Sequence, residues 1–195
     1  MPLRQPSLFD APLIPPEGFA YRDDFVSTLE EAELIARFAE LPFEAFQFRG
    51  FSGKRRVVYF GWRYDFEAGA LSKTEEIPDF LHPLRDRCAG FAGLAPAAFG
   101  HVLINEYAPG APIGWHRDRP QFDKVVGVSL GAEGLFRFRR QKGEDWERAS
   151  IVLAPRSAYL LDGPARREWE HSLPPAPALR YSVTFRSLVN PSSAP

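Results

Sequence analysis

HVLINEYAPGAPIGWHRDRPQFDKVVGVSL, residues 101–130, joins two runs of branched and aromatic residues through a segment rich in Pro and Gly. The flanking runs HVLINEY and VVGVSL predict β-strands. Four similar runs follow: LFRFRR (135–140), RASIVL (148–153), SAYLLD (157–162) and RYSVTFRSL (180–188). Because Gly, Pro or charged residues separate them, these short runs predict a sandwich or barrel of antiparallel strands.

Two amphipathic helices are predicted upstream of these strands. The first runs from Ser27, an N-cap candidate, through Phe38, with Leu29, Leu34 and Ile35 at helical spacing. The second covers residues 79–91, where Phe80, Leu81, Leu84, Cys88 and Phe91 form one apolar stripe. Between the helices, RRVVYFGWRY (55–64) predicts a strand or hairpin. The fold class is therefore α+β, mainly β, with the helices on the N-terminal side.

The overall composition limits the class of protein. A chain of 195 residues is long enough for one domain with a substantial core. Residues 1–18 hold five of the 19 prolines and predict an extended tail before a domain at 19–195. No apolar run approaches about 18 residues, and the single Cys88 excludes an intrachain disulfide. We expect a cytoplasmic monomer without a membrane segment.

The central segment also carries a candidate metal site. His116 and Asp118 are two residues apart, so in a strand their side chains lie on the same face. Of the other histidines, His82 lies in a predicted helix and His101 opens a strand, whereas His171 follows a loop where a side chain can reach in from a sheet edge. Two imidazoles and one carboxylate leave three metal positions open, as in non-haem Fe(II) oxygenases. Zinc is the competing interpretation.

A site for an organic acid beside the metal would favour iron, and the last strand offers one. Arg180, Ser182, Thr184 and Arg186 share one strand face. Their two guanidinium groups, leaning toward each other, would leave a gap about the length of a five-carbon dicarboxylate. Asn105 and Tyr107 are a further pair on one strand face and can donate hydrogen bonds to the same acid.

These motifs together resemble the AlkB-like 2-oxoglutarate- and Fe(II)-dependent dioxygenases, over roughly residues 50–189. The resemblance rests on the ordered set Asn-x-Tyr, His-x-Asp, His and Arg-x5-Arg, together with W-E-H at 169–171. It implies a double-stranded β-helix, or jelly-roll, core. It also implies that the catalytic residues bind Fe(II), namely His116, Asp118 and His171. The residues that it implies for 2-oxoglutarate are Asn105, Tyr107, Arg180, Ser182 and Arg186.

Family members use O2 and 2-oxoglutarate to hydroxylate N-alkyl groups, most often on nucleic-acid bases, so that an aldehyde and the restored base are released. The chain departs from the best-known bacterial pattern at two positions. Pro120 stands where an acidic residue commonly helps to read the base, and Ser182 stands where asparagine is frequent. The first departure bears on base specificity and the second on the acid pocket.

A basic and aromatic segment near residues 49–64 is the candidate substrate surface. Cations that contact phosphates and rings that stack on bases are typical of proteins that bind single strands or flipped bases. A basic edge strand whose aromatic residues face the core is the alternative, and the resemblance favours a lid over the substrate. The candidate substrate residues are Arg55, Arg56, Trp62 and Tyr64, with Arg140 on a second basic strand.

The sequence therefore predicts oxidative removal of methyl or other alkyl groups from nucleic-acid bases, with repair of alkylated DNA as the role. An oxygenase of RNA, tRNA, protein or a small molecule, and a binding protein with a vestigial metal site, are the alternatives. In the tail, Gln5–Phe9 has the Gln-x-x-Leu-Phe arrangement of peptides that dock on the bacterial replication sliding clamp. Packing of this arm on the domain is the other interpretation.

Overall fold

The computed structural model describes residues 15–48, 51–65 and 69–189. The candidate clamp peptide Gln5–Phe9 lies outside the described residues and stays a prediction. Of the tail predicted at 1–18, only residues 15–18 are described. Here the carbonyl of Glu17 accepts a hydrogen bond from the Ala165 amide, and that of Gly18 accepts one from the Asp162 amide. These last tail residues therefore contact the domain directly.

The two predicted N-terminal helices are present. Helix α1 spans Thr28–Phe38, and Ser27 and Glu30 form a reciprocal capping box at its start. Helix α2 spans His82–Ala92 after a 3-10 turn at Asp79–Leu81, and ends at Gly93, whose φ of 66° suits glycine. One detail of the prediction was wrong. Leu29 is 69% exposed, because it projects from the first turn and away from the sheet.

Twelve strands and a third short helix complete the described chain. The larger sheet has the strand order β1-β10-β7-β12-β5-β3-β2, with β4 paired to β3. Its strands are β1 (Phe19–Arg22), β2 (Glu44–Phe48), β3 (Phe51–Asp65), β4 (Ala70–Lys73), β5 (Phe99–Tyr107), β7 (Phe122–Gly131), β10 (Ala158–Leu161) and β12 (Arg180–Leu188). The smaller sheet, β6-β11-β8-β9, contains β6 (Ile113–His116), β8 (Gly134–Lys142), β9 (Asp145–Leu153) and β11 (Glu170–Leu173).

The two faces of the larger sheet have different partners. On one face, Ile104, Val183 and Phe185 join α1 and α2 in an apolar core that includes Phe38. A second core contains side chains of both sheets, such as Tyr107 of β5 and Phe136 of β8. The predicted antiparallel sandwich behind N-terminal helices is therefore confirmed as a jelly-roll core. None of the described helices is both long and apolar enough to cross a membrane.

Helix α3 (Gly163–Arg167) stands between β10 and β11 and fixes the loop that follows β6. The buried guanidinium of Arg166 donates hydrogen bonds to the carbonyls of Arg119 and Phe122, the latter at 2.6 Å. Since Arg119 is the residue after Asp118, this helix holds the candidate metal loop in place.

On the inner face of the larger sheet, a neighbouring side chain lies so close to Gly127 that the position requires glycine. A Cβ atom built on Gly127 of β7 would lie 2.3 Å from Cζ of Tyr159, whose ring is buried against Phe136. At this distance the ring would have to shift for any larger residue, so only glycine leaves room for it in its present position in the second core.

Replacing Gly127 with alanine should therefore destabilise the protein by about 1–3 kcal/mol, since the added methyl forces a shift in a packed core. Gly90→Ala is the matched control, because a Cβ at this exposed position of α2 meets no atom within 4 Å. The control should raise stability by about 0.5–1 kcal/mol through higher helix propensity. Urea unfolding of both variants measures the two changes, and equal stabilities would contradict the packing described.

Candidate active site

The three predicted metal ligands come together at the edge of the smaller sheet. His116 ends β6 and lies opposite His171 of β11 in the strand register, with ring centroids 4.3 Å apart. Asp118 follows two residues after His116, and its Oδ2 lies 3.8 Å from Nε2 of His171. The short strands β6 and β11 thus place two imidazoles and one carboxylate side by side.

The nitrogen atoms of this trio are suited to a ligand. Nδ1–H of His116 donates to the Gly114 carbonyl at 2.9 Å, which leaves Nε2 as the free lone pair. Nδ1 of His171 is buried and has no hydrogen-bond partner. Nε2 of His171 is the nitrogen that faces Oδ2 of Asp118, at 3.8 Å, so it is the atom that a metal between them would bind.

The protonation states also fit a metal. Burial, and then the neighbouring His116, lower the pKa of His171 to about 3. Burial likewise lowers the pKa of His116. Burial alone would raise the pKa of the Asp118 carboxyl, but the charge of Arg186 holds it below its ordinary value. At neutral pH the trio therefore presents two neutral imidazoles and a carboxylate, the forms that bind metal.

In the part of the chain that the structure describes, no three His, Cys, Asp or Glu side chains are preassembled as a metal-binding group. Asp118 instead directs Oδ1 toward Arg186, whose Nε and Nη2 both lie 2.9 Å away. Both side chains of this pair are buried. The donor types of the trio, two imidazoles and one carboxylate, are suited to Fe(II), and Asp118 directs Oδ1 to the guanidinium and Oδ2 toward His171.

The predicted acid-binding residues face the same side of the larger sheet. Strand β12 runs beside β5, so that Arg180 lies opposite Tyr107, Ser182 opposite Asn105, and Arg186 opposite His101. Four of the five predicted residues line a cavity of about 740 Å³ that also contains the metal trio, namely Asn105, Tyr107, Ser182 and Arg186. The alternation of strand side chains thus produces one polar row at the base of the cavity.

Arg180 differs from the other four. It is 2% exposed and lies behind the ring of Tyr107, with Cζ 5.3 Å from the ring centroid. Nη2 donates to Oγ of Ser129 at 3.0 Å, whereas Nε and Nη1 are buried without a partner. A buried guanidinium without a carboxylate partner is costly unless an anion neutralises it. The residues therefore fit an organic acid with a carboxylate at this end of the row.

His101 is a site residue that the sequence analysis passed over. It is buried on the cavity wall and opposite Arg186. Its Nδ1–H donates to the Trp62 carbonyl, and its Nε2 accepts from Nη1 of Arg186 at 3.1 Å. Burial, and then the charge of Arg186, lower its pKa to about 3, so it stays a neutral acceptor. The sequence contained one indication of this role. His101 lies two residues before Leu103 and four before Asn105, so the three side chains share a strand face.

Two of the five predicted substrate residues, Arg55 and Tyr64, line the cavity, and the other three do not. Arg56 has the opposite parity to Arg55 on β3 and forms an ion pair with Glu106 at 2.7 Å. Trp62 lies beside Gly100 and Lys73, directly after Gly61, whose φ of 77° departs from regular strand geometry. Arg140 forms ion pairs with Glu147 and Glu168 and covers the buried Trp169.

Comparisons with known proteins agree with this arrangement. A family model described as the 2OG-Fe(II) oxygenase superfamily matches residues 20–186. The chain is 28% identical over 192 residues to the "Alkylated DNA repair protein ALKBH8 homolog" of Arabidopsis thaliana, covering 86% of this chain and 54% of that protein. It is 33% identical over 143 residues to the human "DNA oxidative demethylase ALKBH2", covering 66% of this chain and 53% of that protein.

Among solved structures, that of OsALKBH1 is similar with a TM-score of 0.70 and 16% identity, covering 87% of this chain and 96% of that one. This likeness shows the fold. The chain belongs to the 2OG-Fe(II) oxygenase superfamily, and the AlkB-like resemblance of its motifs is confirmed. It spans about half the length of the two relatives named above.

Replacing Asp118 with asparagine should weaken the binding of Fe(II), or of Mn(II) as its oxygen-stable substitute, by more than about 100-fold. Asp123→Asn is the matched control, because this nearby carboxylate is 42% exposed and pairs only loosely with Arg167 at 3.6 Å. Calorimetric titration with Mn(II) measures both affinities. Equal affinity in Asp118→Asn and the control would remove Asp118 from the metal site.

Arg186→Leu should raise the KM for 2-oxoglutarate by more than about tenfold, because a charge-assisted contact is lost. Since Arg186 also holds Asp118, metal affinity should fall as well, and the two sites cannot be treated as independent. Turnover against 2-oxoglutarate concentration, combined with a Mn(II) titration of the same variant, measures both effects. An unchanged KM would exclude Arg186 from the acid site.

Proposed function

We propose that this protein is a 2-oxoglutarate- and Fe(II)-dependent dioxygenase that removes methyl or other alkyl groups from N-alkylated nucleic-acid bases. The observation that carries the proposal is a single cavity of about 740 Å³ that joins the metal trio, the polar row of β5 and β12, and a wall of arginines and aromatic rings. The Arabidopsis relative is named as an alkylated DNA repair protein homolog and the human relative as a DNA oxidative demethylase, which supports the same substrate class.

His116, Asp118 and His171 would hold the iron through two imidazoles and a carboxylate. Three protein ligands of this kind would leave room at the iron for the 2-oxo acid and for O2. Bound together, Fe(II), 2-oxoglutarate and O2 would supply the oxidant that hydroxylates the alkyl carbon next to nitrogen, with 2-oxoglutarate converted to succinate and CO2. The resulting hemiaminal then releases an aldehyde and the unmodified base.

Asn105, Tyr107, Ser182 and Arg186 would hold 2-oxoglutarate from the row that they form at the base of the cavity. Arg186 would donate to a carboxylate of the acid while its Nε keeps the Asp118 carboxylate in place. Arg180, whose Nε and Nη1 lack partners, supplies positive charge behind Tyr107. Because these donors are already held in place, the site needs little reorganisation when the acid binds.

The substrate would enter between the β2–β3 hairpin and the loop after β6. Phe46, Tyr64 and Trp115 line the cavity and would flank this entrance. An alkylated base that leaves its stack can place its flat faces against such rings. The basic residues Lys54 and Arg117, also on the wall, are placed to contact the phosphates on either side.

The physiological role that we propose is repair of alkylated DNA. Single-stranded oligonucleotides with one methylated base, incubated with Fe(II), 2-oxoglutarate and ascorbate, should lose the mass of one methyl group. Asp118→Asn should abolish this loss, and Asp123→Asn should retain it. Consumption of 2-oxoglutarate with no loss from any methylated DNA or RNA base would favour a protein or small-molecule substrate instead.

A further inference from the structure

The cavity wall carries many more positive than negative side chains. In the described residues it carries five Lys or Arg side chains, Lys54, Arg55, Arg117, Arg119 and Arg186, and one carboxylate, Asp118. That carboxylate already accepts hydrogen bonds from Arg186 and belongs to the metal trio. No second acid among the described residues is therefore available on the wall to receive a positively charged substrate.

The aromatic rings do not offset this charge. A cation can bind over a ring face, but three rings of the entrance already have a guanidinium over one face. The distances from Cζ to the ring centroid are 3.7 Å for Arg55 on Phe46, 5.0 Å for Arg119 on Tyr64 and 4.5 Å for Arg139 on Trp115. A cationic ring stacked on the opposite face would meet the repulsion of that guanidinium.

Arg55 is the member of this group that points to a specific role. Its Nε donates to Oδ1 of Asn105 at 3.1 Å, and no carboxylate among the described residues pairs with it. It lines the same cavity as His116, Asp118 and His171. Nη1 and Nη2 of Arg55 make no hydrogen bond with any described residue, so they are available as donors near the reacting centre.

Alkylated bases fall into two classes that differ in the charge of the ring, and therefore in how they interact with a guanidinium. Methylation at N1 of adenine or N3 of cytosine leaves a ring that is cationic at neutral pH. Methylation at N3 of thymine or uracil, or at N1 of guanine, replaces a proton and leaves a neutral ring with carbonyl acceptors. A guanidinium donates to carbonyl oxygens and repels a cation.

We propose that this cavity selects uncharged alkylated bases with carbonyl groups beside the alkylated nitrogen, and that Arg55 is the residue that reads the carbonyl. This inference rests on the proposed function and specifies its substrate class. Specificity arises from both the attractive donor and the repulsive charge, as in other discriminating sites.

The test compares two oligonucleotides that differ at one ring position, 3-methylcytosine and 3-methyluracil in the same sequence. At saturating 2-oxoglutarate, kcat/KM should be about tenfold or more higher for 3-methyluracil, in line with one partly screened charge interaction. Oligonucleotide binding to the protein with Fe(II) and 2-oxoglutarate, measured by fluorescence anisotropy without oxygen, should show the same order. This second measurement does not depend on turnover.

Arg55→Gln should reduce the preference about tenfold, toward equal use of both bases. The matched control is Arg56→Gln, which changes the next residue of β3 on the face away from the cavity and should leave the preference unchanged. Any disturbance of Asn105 through its contact with Arg55 should alter both substrates by the same factor. The ratio of the two kcat/KM values therefore isolates the charge of Arg55.

The possible outcomes separate the inference from the function on which it rests. Equal or faster turnover of 3-methylcytosine would overturn the inference and leave the dealkylase function intact. An unchanged ratio in Arg55→Gln would overturn the assignment to Arg55. Consumption of 2-oxoglutarate without methyl loss from any base, including 1-methyladenine and 1-methylguanine, would overturn the proposed function and the inference with it.

Discussion

The ion pair between Asp118 and Arg186 is the interaction on which the rest of the site depends. Asp118 belongs to the loop after β6, and Arg186 to β12 of the larger sheet, so the pair joins the two sheets at the base of the cavity. A buried pair pays a large desolvation cost, and breaking it by removing one partner costs about 3–5 kcal/mol. The structure offsets this cost with further hydrogen bonds from Arg186 to His101 and Thr184. The same contacts fix the direction of the guanidinium toward both the metal trio and the acid row.

Arginine side chains outside this ion pair add further positive charge in and around the cavity. Arg180 lies buried behind Tyr107 without a carboxylate, and Arg55 of β3 lies beside Asn105 of the neighbouring strand β5. Burial lowers the pKa of both guanidinium groups, which means that the folded protein keeps these charges at a cost. A dicarboxylate bound at the bottom of the cavity would reduce this cost. An uncharged nucleobase rich in carbonyl groups, bound at the entrance, would not add to it. The loop sequence after Asp118 agrees with the charge of the wall, because it supplies Arg119 and has Pro120 at the position where the best-known bacterial pattern commonly has an acidic residue.

Strand alternation is the reason that much of the site was predictable from sequence. The shared parity of Arg180, Ser182 and Arg186 defined one face of β12, and the structure places them opposite Tyr107, Asn105 and His101. The same rule explains one wrong prediction, because Arg56 follows Arg55 on β3 and therefore lies on the opposite face, where it pairs with Glu106. The rule does not extend past a strand irregularity such as Gly61, whose φ is positive, and the side on which Trp62 lies was therefore not predictable. His101 carried no motif, and strands β6 and β11, with four residues each, were too short for periodicity to predict.

We infer that the Arg186 guanidinium couples the binding of iron to that of the cosubstrate. Chelation of Fe(II) by a 2-oxo acid produces a visible charge-transfer absorption, which can be titrated with 2-oxoglutarate in the absence of oxygen. In the wild-type protein this band should develop and saturate. In Arg186→Lys, which keeps the charge but loses the fork that binds Asp118 and a carboxylate together, it should require at least about tenfold more 2-oxoglutarate. A band of equal intensity at equal concentration in Arg186→Lys would contradict the coupling of the two sites.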